Sequence, residues 1–151
     1  IKAESIIFNK INISNIEIHI RDLTLKFGFH KKYLFDNCYA VIQMRLTRDN
    51  INKTLFNNEW KSLKNSIENF ISMNFQSVEI NNRSIYFIPS DGFCNRNIDY
   101  TLKYDSNSIS LLNKINQEKL LILNDKNIII NNLLFCENYI ELALTSKIIF
   151  N

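Results

Sequence analysis

The sequence predicts an α+β fold: mostly an antiparallel β-sheet meander, with one long amphipathic helix packed on one face. Three observations carry this expectation. Phe56, Trp60, Leu63, Ile67, Phe70 and Ile71 recur at spacings of three and four, the apolar stripe of a helix, across the run NNEWKSLKNSIENFISMNF at 57–75. Almost every other segment alternates apolar and polar residues with period two, as strands do. The chain has 151 residues and is 46% hydrophobic, enough for one domain, 1–151, with a real core rather than a disordered chain.

Residues 5–13 read as one strand or two short ones, broken at Asn9 and Lys10. In 15–29 the apolar positions are Ile16, Ile18 and Ile20, then Leu23, Leu25, Phe27 and Phe29. Parity changes at Arg21-Asp22, so a turn or bulge there would keep both sets on one buried face. Residues 38–47 form the cleanest strand. Cys38, Ala40, Ile42, Met44 and Leu46 face one way; Tyr39, Val41, Gln43, Arg45 and Thr47 face the other. Residues 48–53 read as a polar connection. The helix follows, with Asn57 or Asn58 as N-cap and Glu59 near the positive end of the dipole. Trp60, Leu63 and Ile67 are expected against the sheet, and Lys61, Lys64 and Glu68 on the polar face.

Strands at 77–80 and 83–88 are expected to join through a two-residue Asn81-Asn82 turn and to end at Pro89. Residues 89–97, PSDGFCNRN, are the most loop-like stretch. Ile98, Tyr100, Leu102 and Tyr104 alternate as a strand, and 105–108 is a turn. Residues 110–117 suggest a short helix. Residues 119–123 and 126–130 suggest a hairpin across Asn124-Asp125, and 133–136 follows Asn131-Asn132. The last segment, 139–150, fits strand better than helix, with Ile140, Leu142, Leu144, Ile148 and Phe150 on one side.

Two glycines and one proline, against abundant Ile, Asn, Lys, Phe and Tyr, point to an AT-rich genome rather than to any Asn-specific role. The formal charge is +3. Residues 1–75 carry eleven Lys/Arg against seven Asp/Glu, and the rest seven against eight, so the basic excess is local. Cys38, Cys94 and Cys136 are odd in number and form no CxxC, which suggests reduced thiols in a cytoplasmic protein, with Cys38 and Cys136 packed as small apolar groups. No apolar run spans a bilayer and no signal-peptide pattern opens the chain. Because the first residue is Ile, residues upstream, including a removed leader, are left open.

No catalytic constellation is legible. His19 and His30 lack companion ligands at metal-site spacing. Cys94, with Arg96 two residues on, is a reactive-thiol candidate against the plainer reading of a loop cysteine. There is no glycine-rich phosphate loop and no nucleophile elbow. The expectation is a protein that is not an enzyme and uses no cofactor or metal.

Two surfaces are candidates for binding. The loop carries Asp91, Phe93, Asn95 and Arg96, a carboxylate, a ring, an amide and a guanidinium together. Its plainer reading is a tight β–β connection with Phe93 in the core. The second surface is basic: Lys31 and Lys32 beside Tyr33, with Arg45 and Arg48 flanking the next connection. It suits an acidic protein partner, or phosphates with bases stacked between; its plainer reading is a solvated rim. A strand, a short acidic connection, a helix with Glu59, Trp60 and Leu63, and then a meander, over roughly 38–104, resembles small bacterial immunity proteins of polymorphic toxin systems. That resemblance implies a cytosolic protein that binds and blocks a toxin without catalysis, and transfers no functional residue. The leading expectation is a non-catalytic protein-binding domain of inhibitor, immunity or assembly type. The alternative is a small nucleic-acid-associated protein using the basic N-terminal half.

Overall fold

In the computed structural model the described residues are 2–3, 6–8, 11–21, 24–27, 33–36, 39–91 and 99–147. The strands are mostly antiparallel and the class is α+β. In chain order they are β1 (Lys2–Ala3), β2 (Ile6–Phe8), β3 (Ile11–Ile13), β4 (Asn15–Arg21), β5 (Thr24–Phe27), β6 (Tyr33–Asp36) and β7 (Tyr39–Thr47). Two short helices follow, α1 (Arg48–Leu55) and α2 (Lys61–Ile71), with a 3₁₀ turn at Asn58–Trp60 between them. Then come β8 (Phe75–Ile80), β9 (Ile85–Pro89), β10 (Tyr100–Tyr104), β11 (Ser108–Asn113), β12 (Lys119–Asn124), β13 (Ile128–Phe135) and β14 (Tyr139–Lys147).

These strands build two five-stranded sheets. The first has the order β1-β4-β7-β14-β13, and the second is a sequential meander, β12-β11-β10-β9-β8. β2 pairs with β3, and β5 with β6, as separate hairpins. The strand expected at 38–47 is present over its described residues, Tyr39–Thr47. Every residue from Tyr39 to Thr47 pairs with β14, from Lys147 back to Tyr139, without a register break. The strand reading of the last segment is therefore correct through Lys147, and that strand lies inside the sheet.

The single long helix is not what forms. Residues 48–53, expected as a connection, belong to α1, and the Trp60 region separates it from α2. Thr47 explains the early start. Its hydroxyl accepts the Asn50 N–H at 3.2 Å, and the Asn50 side chain accepts the Thr47 N–H at 3.0 Å, a reciprocal cap placed directly at the end of β7. Asn57 does act as a cap, accepting the Glu59 N–H at 3.1 Å, but for the 3₁₀ turn. α2 closes at Ser72, which takes the left-handed conformation at φ 57°.

Other departures have local causes. Asn81 accepts the N–H groups of both Arg83 and Ser84, so the β8–β9 turn is longer than Asn81-Asn82 and Ile80 pairs with Ile85. β11 replaces the helix expected at 110–117. Leu111 and Leu112 are both buried although they lie on opposite faces, which erases the alternation. β12 and β13 are not a hairpin, because the chain passes from one sheet to the other at 125–127. The 105–107 turn stitches this crossing: Asn107 O accepts the Asp125 N–H and Ser106 O accepts the Ile130 N–H. Asn131-Asn132 lies inside β13, where Asn131 is the extra residue of a bulge. The parity change at Arg21-Asp22 marks a strand end, since β4 and β5 enter different sheets.

The core lies where the two sheets and both helices meet. Ile67, Ile71, Phe75, Val78, Phe87, Tyr100, Leu111 and Ile140 share one buried cluster. Phe75, Phe87 and Tyr100 stack edge to face at centroid distances of 5.0 and 5.3 Å. Trp60 and Leu63 are only half-buried, and Phe56 is 44% exposed, so the stripe is narrower than its spacing suggests. Lys64 and Glu68 leave the expected polar face. They pair with each other, Lys64 sits 5.0 Å from the Phe75 ring centroid, and Glu68 accepts the Phe75 N–H.

One side chain of α1 pairs with the backbone of the second sheet. Asn52 donates to the Val78 carbonyl at 3.1 Å and accepts the Val78 N–H at 2.7 Å, as a neighbouring strand would. β8 is an edge strand, so this pair satisfies backbone groups that the sheet leaves open. Asn52→Ala should cost about 1–3 kcal/mol by leaving them unpaired, and Asn52→Asp, which loses the donor, should not rescue it. Urea melts of both variants check this.

Burial also separates two helix positions. Ile67, 4% exposed, should lose about 2–5 kcal/mol on substitution by Ala, whereas half-buried Leu63 should lose less. Equal losses in paired melts would contradict this packing.

Candidate functional site

The outer face of the first sheet is built by strand alternation. Register sets Asn15, Arg45, Glu141 and Leu134 in one row across β4, β7, β14 and β13. Glu17, Gln43, Ala143 and Asn132 form the next row. These two rows line a hollow of about 270 Å³. His19, Val41 and Thr145 extend the face. His19 is exposed there, as its position opposite the isoleucines predicts.

Arg45 is the centre of this face. Its Nη2 donates to Glu141 Oε1 at 2.9 Å, and its guanidinium carbon lies 4.2 Å from the Tyr139 ring centroid. Its Nε is buried without a hydrogen-bond partner. The hydrogen bond to Glu141 holds the guanidinium above its ordinary pKa. Hydrogen bonding with the Cys136 thiol raises that of Tyr139, against the opposing field of Arg45. Cys136 itself is free and half-buried.

At the margin, Lys2 lies 3.0 Å from Glu17, and His19 contacts the other carboxylate oxygen. Hydrogen bonding from Lys2, then from His19, lowers the pKa of Glu17.

Of the described residues singled out for binding in the sequence, Arg45 alone lines this hollow. Arg48 begins α1 and turns elsewhere, with Nε donating to Asp49 at 3.2 Å and Nη1 to Glu79 at 3.4 Å. Asp49, then Glu79, raises its pKa. Arg45 and Arg48 each already hold a carboxylate. Asp91 is exposed in the turn after β9. Phe93, Asn95, Arg96, Lys31 and Lys32 lie outside the described residues, as do His30, Cys38 and Cys94.

Sequence reasoning missed Glu141, Tyr139, Glu17 and Asn132 as companions of Arg45. Alternation alone placed Glu141 and Tyr139 on the face opposite Ile140 and Leu142. The missing information was that β14 pairs with β7.

Among the described residues no three His, Cys, Asp or Glu side chains are grouped to hold a metal, and no helix is long and apolar enough to cross a membrane. No family model, no curated protein and no solved structure matches the chain.

The lowered pKa of Glu17 fixes a sign. Its contribution to stability is present above the ordinary carboxylate value and is lost as pH falls through the lowered one. Lys2→Ala should raise the Glu17 pKa toward its ordinary value, as read from side-chain carboxyl shifts in an NMR titration.

Proposed function

We propose that this chain is a non-catalytic protein-binding domain of inhibitor or immunity type, and that it engages its partner through the outer face of the first sheet. The arrangement of Arg45 and Tyr139 carries this reading. Arginine and tyrosine are the residue types that dominate interface energetics. Here the two are stacked and the guanidinium is further held by Glu141, so little side-chain freedom remains to be lost on association. Around them lie amides and carboxylates that can pair across an interface, and an apolar margin at Ile129 and Leu134, 54% and 49% exposed.

A nucleic-acid partner is the weaker reading. Phosphates would have to displace Glu141 from Arg45, and Asp49 and Glu79 from Arg48, on surfaces that also present Glu17. Phosphate contacts carry a steep salt dependence, which separates the two readings.

The test is binding by the wild-type chain and by Tyr139→Ala, Arg45→Ala, Phe93→Ala and Arg96→Ala. Captured proteins are identified by mass spectrometry and re-measured by calorimetry, with folding checked by circular dichroism. Loss of about 2 kcal/mol or more at Tyr139 and Arg45 supports the sheet face. Loss only at Phe93 and Arg96 moves the interface to the segment that follows β9 in sequence. A low-salt shift with RNA or DNA that vanishes with added salt would replace the protein partner with a nucleic acid.

A further inference from the structure

A second cavity lies between the sheets, on the opposite side of the first sheet from Arg45. It measures about 180 Å³. Leu55 of α1, Ile67 of α2, Phe87 and Leu111 of the second sheet and Leu142 of the first all line it. Thr54 is the one hydroxyl among the lining residues, and its Oγ1 is already engaged by the Asn12 N–H at 3.1 Å.

Natural interiors are packed to the density of organic crystals, with few voids larger than a water molecule. This space is about as open as the hollow around Arg45, so it is an apolar recess reaching into the core rather than a sealed void. Thr54 and the Trp60 indole are the polar side chains among the lining residues, so water in the inner part finds few of the two to four hydrogen bonds that buried water requires. Nor can the recess hold an ion, since a charge there would have no partner. An apolar cavity of about 150 Å³ lined by Leu, Ile and Phe is known to stay dry and to admit benzene. The walls here are of the same kind and the space is slightly larger.

The geometry points to a binding site for one small, uncharged, apolar molecule, of the bulk of benzene with a methyl or ethyl group. Leu46, Ile51, Trp60 and Leu63 line the cavity yet are only half-buried, whereas Val78, Leu111 and Ile140 of its walls are fully buried. Leu102, Ile122 and Leu133 of the two sheets line it and are half-buried as well. The site is independent of the interface proposed above, because its walls are the inward residues of the same strands.

Toluene is the probe. Thermal unfolding of the full chain at rising toluene concentration should show a saturable increase in melting temperature, as expected when a ligand binds only the folded state. Methyl NMR should place the shifts on Ile67, Leu111 and Leu142. Leu63→Phe fills the cavity from the helix side and should abolish the response. Leu133→Phe does so from the first sheet and serves if the former does not fold. Leu121→Phe, at an exposed position, should leave it unchanged. A wild-type melting temperature that does not rise, a rise that survives both filling substitutions, or methyl shifts confined to exposed Leu121 and Leu134 would each overturn the assignment.

Discussion

The polar side chains of α1 hold this fold together at its joint. Thr47 ends β7 and caps the helix in the same step, so no linker separates sheet from helix. Asn50 completes the cap and also accepts from the Ser14 hydroxyl, at the start of β4. Asn52 clamps the edge of β8, and Thr54 accepts from Asn12 in β3. The cap residue Thr47 and three residues of one short helix thus engage both sheets and the small N-terminal hairpin. An eight-residue helix is marginal alone, because nucleation is costly and few bonds follow it. Its place is set by these tertiary hydrogen bonds, while the apolar contacts of Ile51 and Leu55 supply burial.

That division explains what could be read from the sequence. A strand with one wet face was legible: β14 alternates buried and half-buried residues from Tyr139 to Leu144 because one side packs on the core. β11 was not, because Leu111 and Leu112 are buried on opposite faces and the period disappears. α1 was not legible either, since RDNINKTL carries only Ile51 and Leu55 as apolar signals and its stability lies in amides and hydroxyls. Asparagine frequency fits genome composition, yet Asn50, Asn52 and Asn81 each satisfy backbone groups that the fold leaves open. A composition argument accounts for how many asparagines there are, not for where they sit.

The same limit applies to the candidate site. Arg45 could be picked out, and its face could be assigned, from period two alone. Its partners could not, because Glu141 is ninety-six residues away in sequence and pairing between distant strands leaves no local trace. Arg48 shows the converse. Its closeness to Arg45 in sequence suggests a shared basic face, but the change from strand to helix at Thr47 sends it toward Glu79 instead.

The two faces of the first sheet can serve different purposes only if register is secure. A slip of one residue would put Arg45 in the cavity and Leu46 on the surface. The unbroken nine-residue ladder between β7 and β14 resists such a slip, since it would carry Ala40, Ile42, Met44 and Leu46 out of the core together. β13 needs a further device. Its apolar residues run Ile128, Ile130, then Leu133 and Phe135, so their parity changes in mid-strand. Asn131 absorbs the change as a bulge, and its side chain donates to Thr145 at 2.9 Å on the outer face of β14. With that residue set aside, Leu133 and Phe135 return to the core and Asn132 and Leu134 return to the hollow around Arg45. The parity change that reads locally as a turn is what lets one strand keep both faces in register.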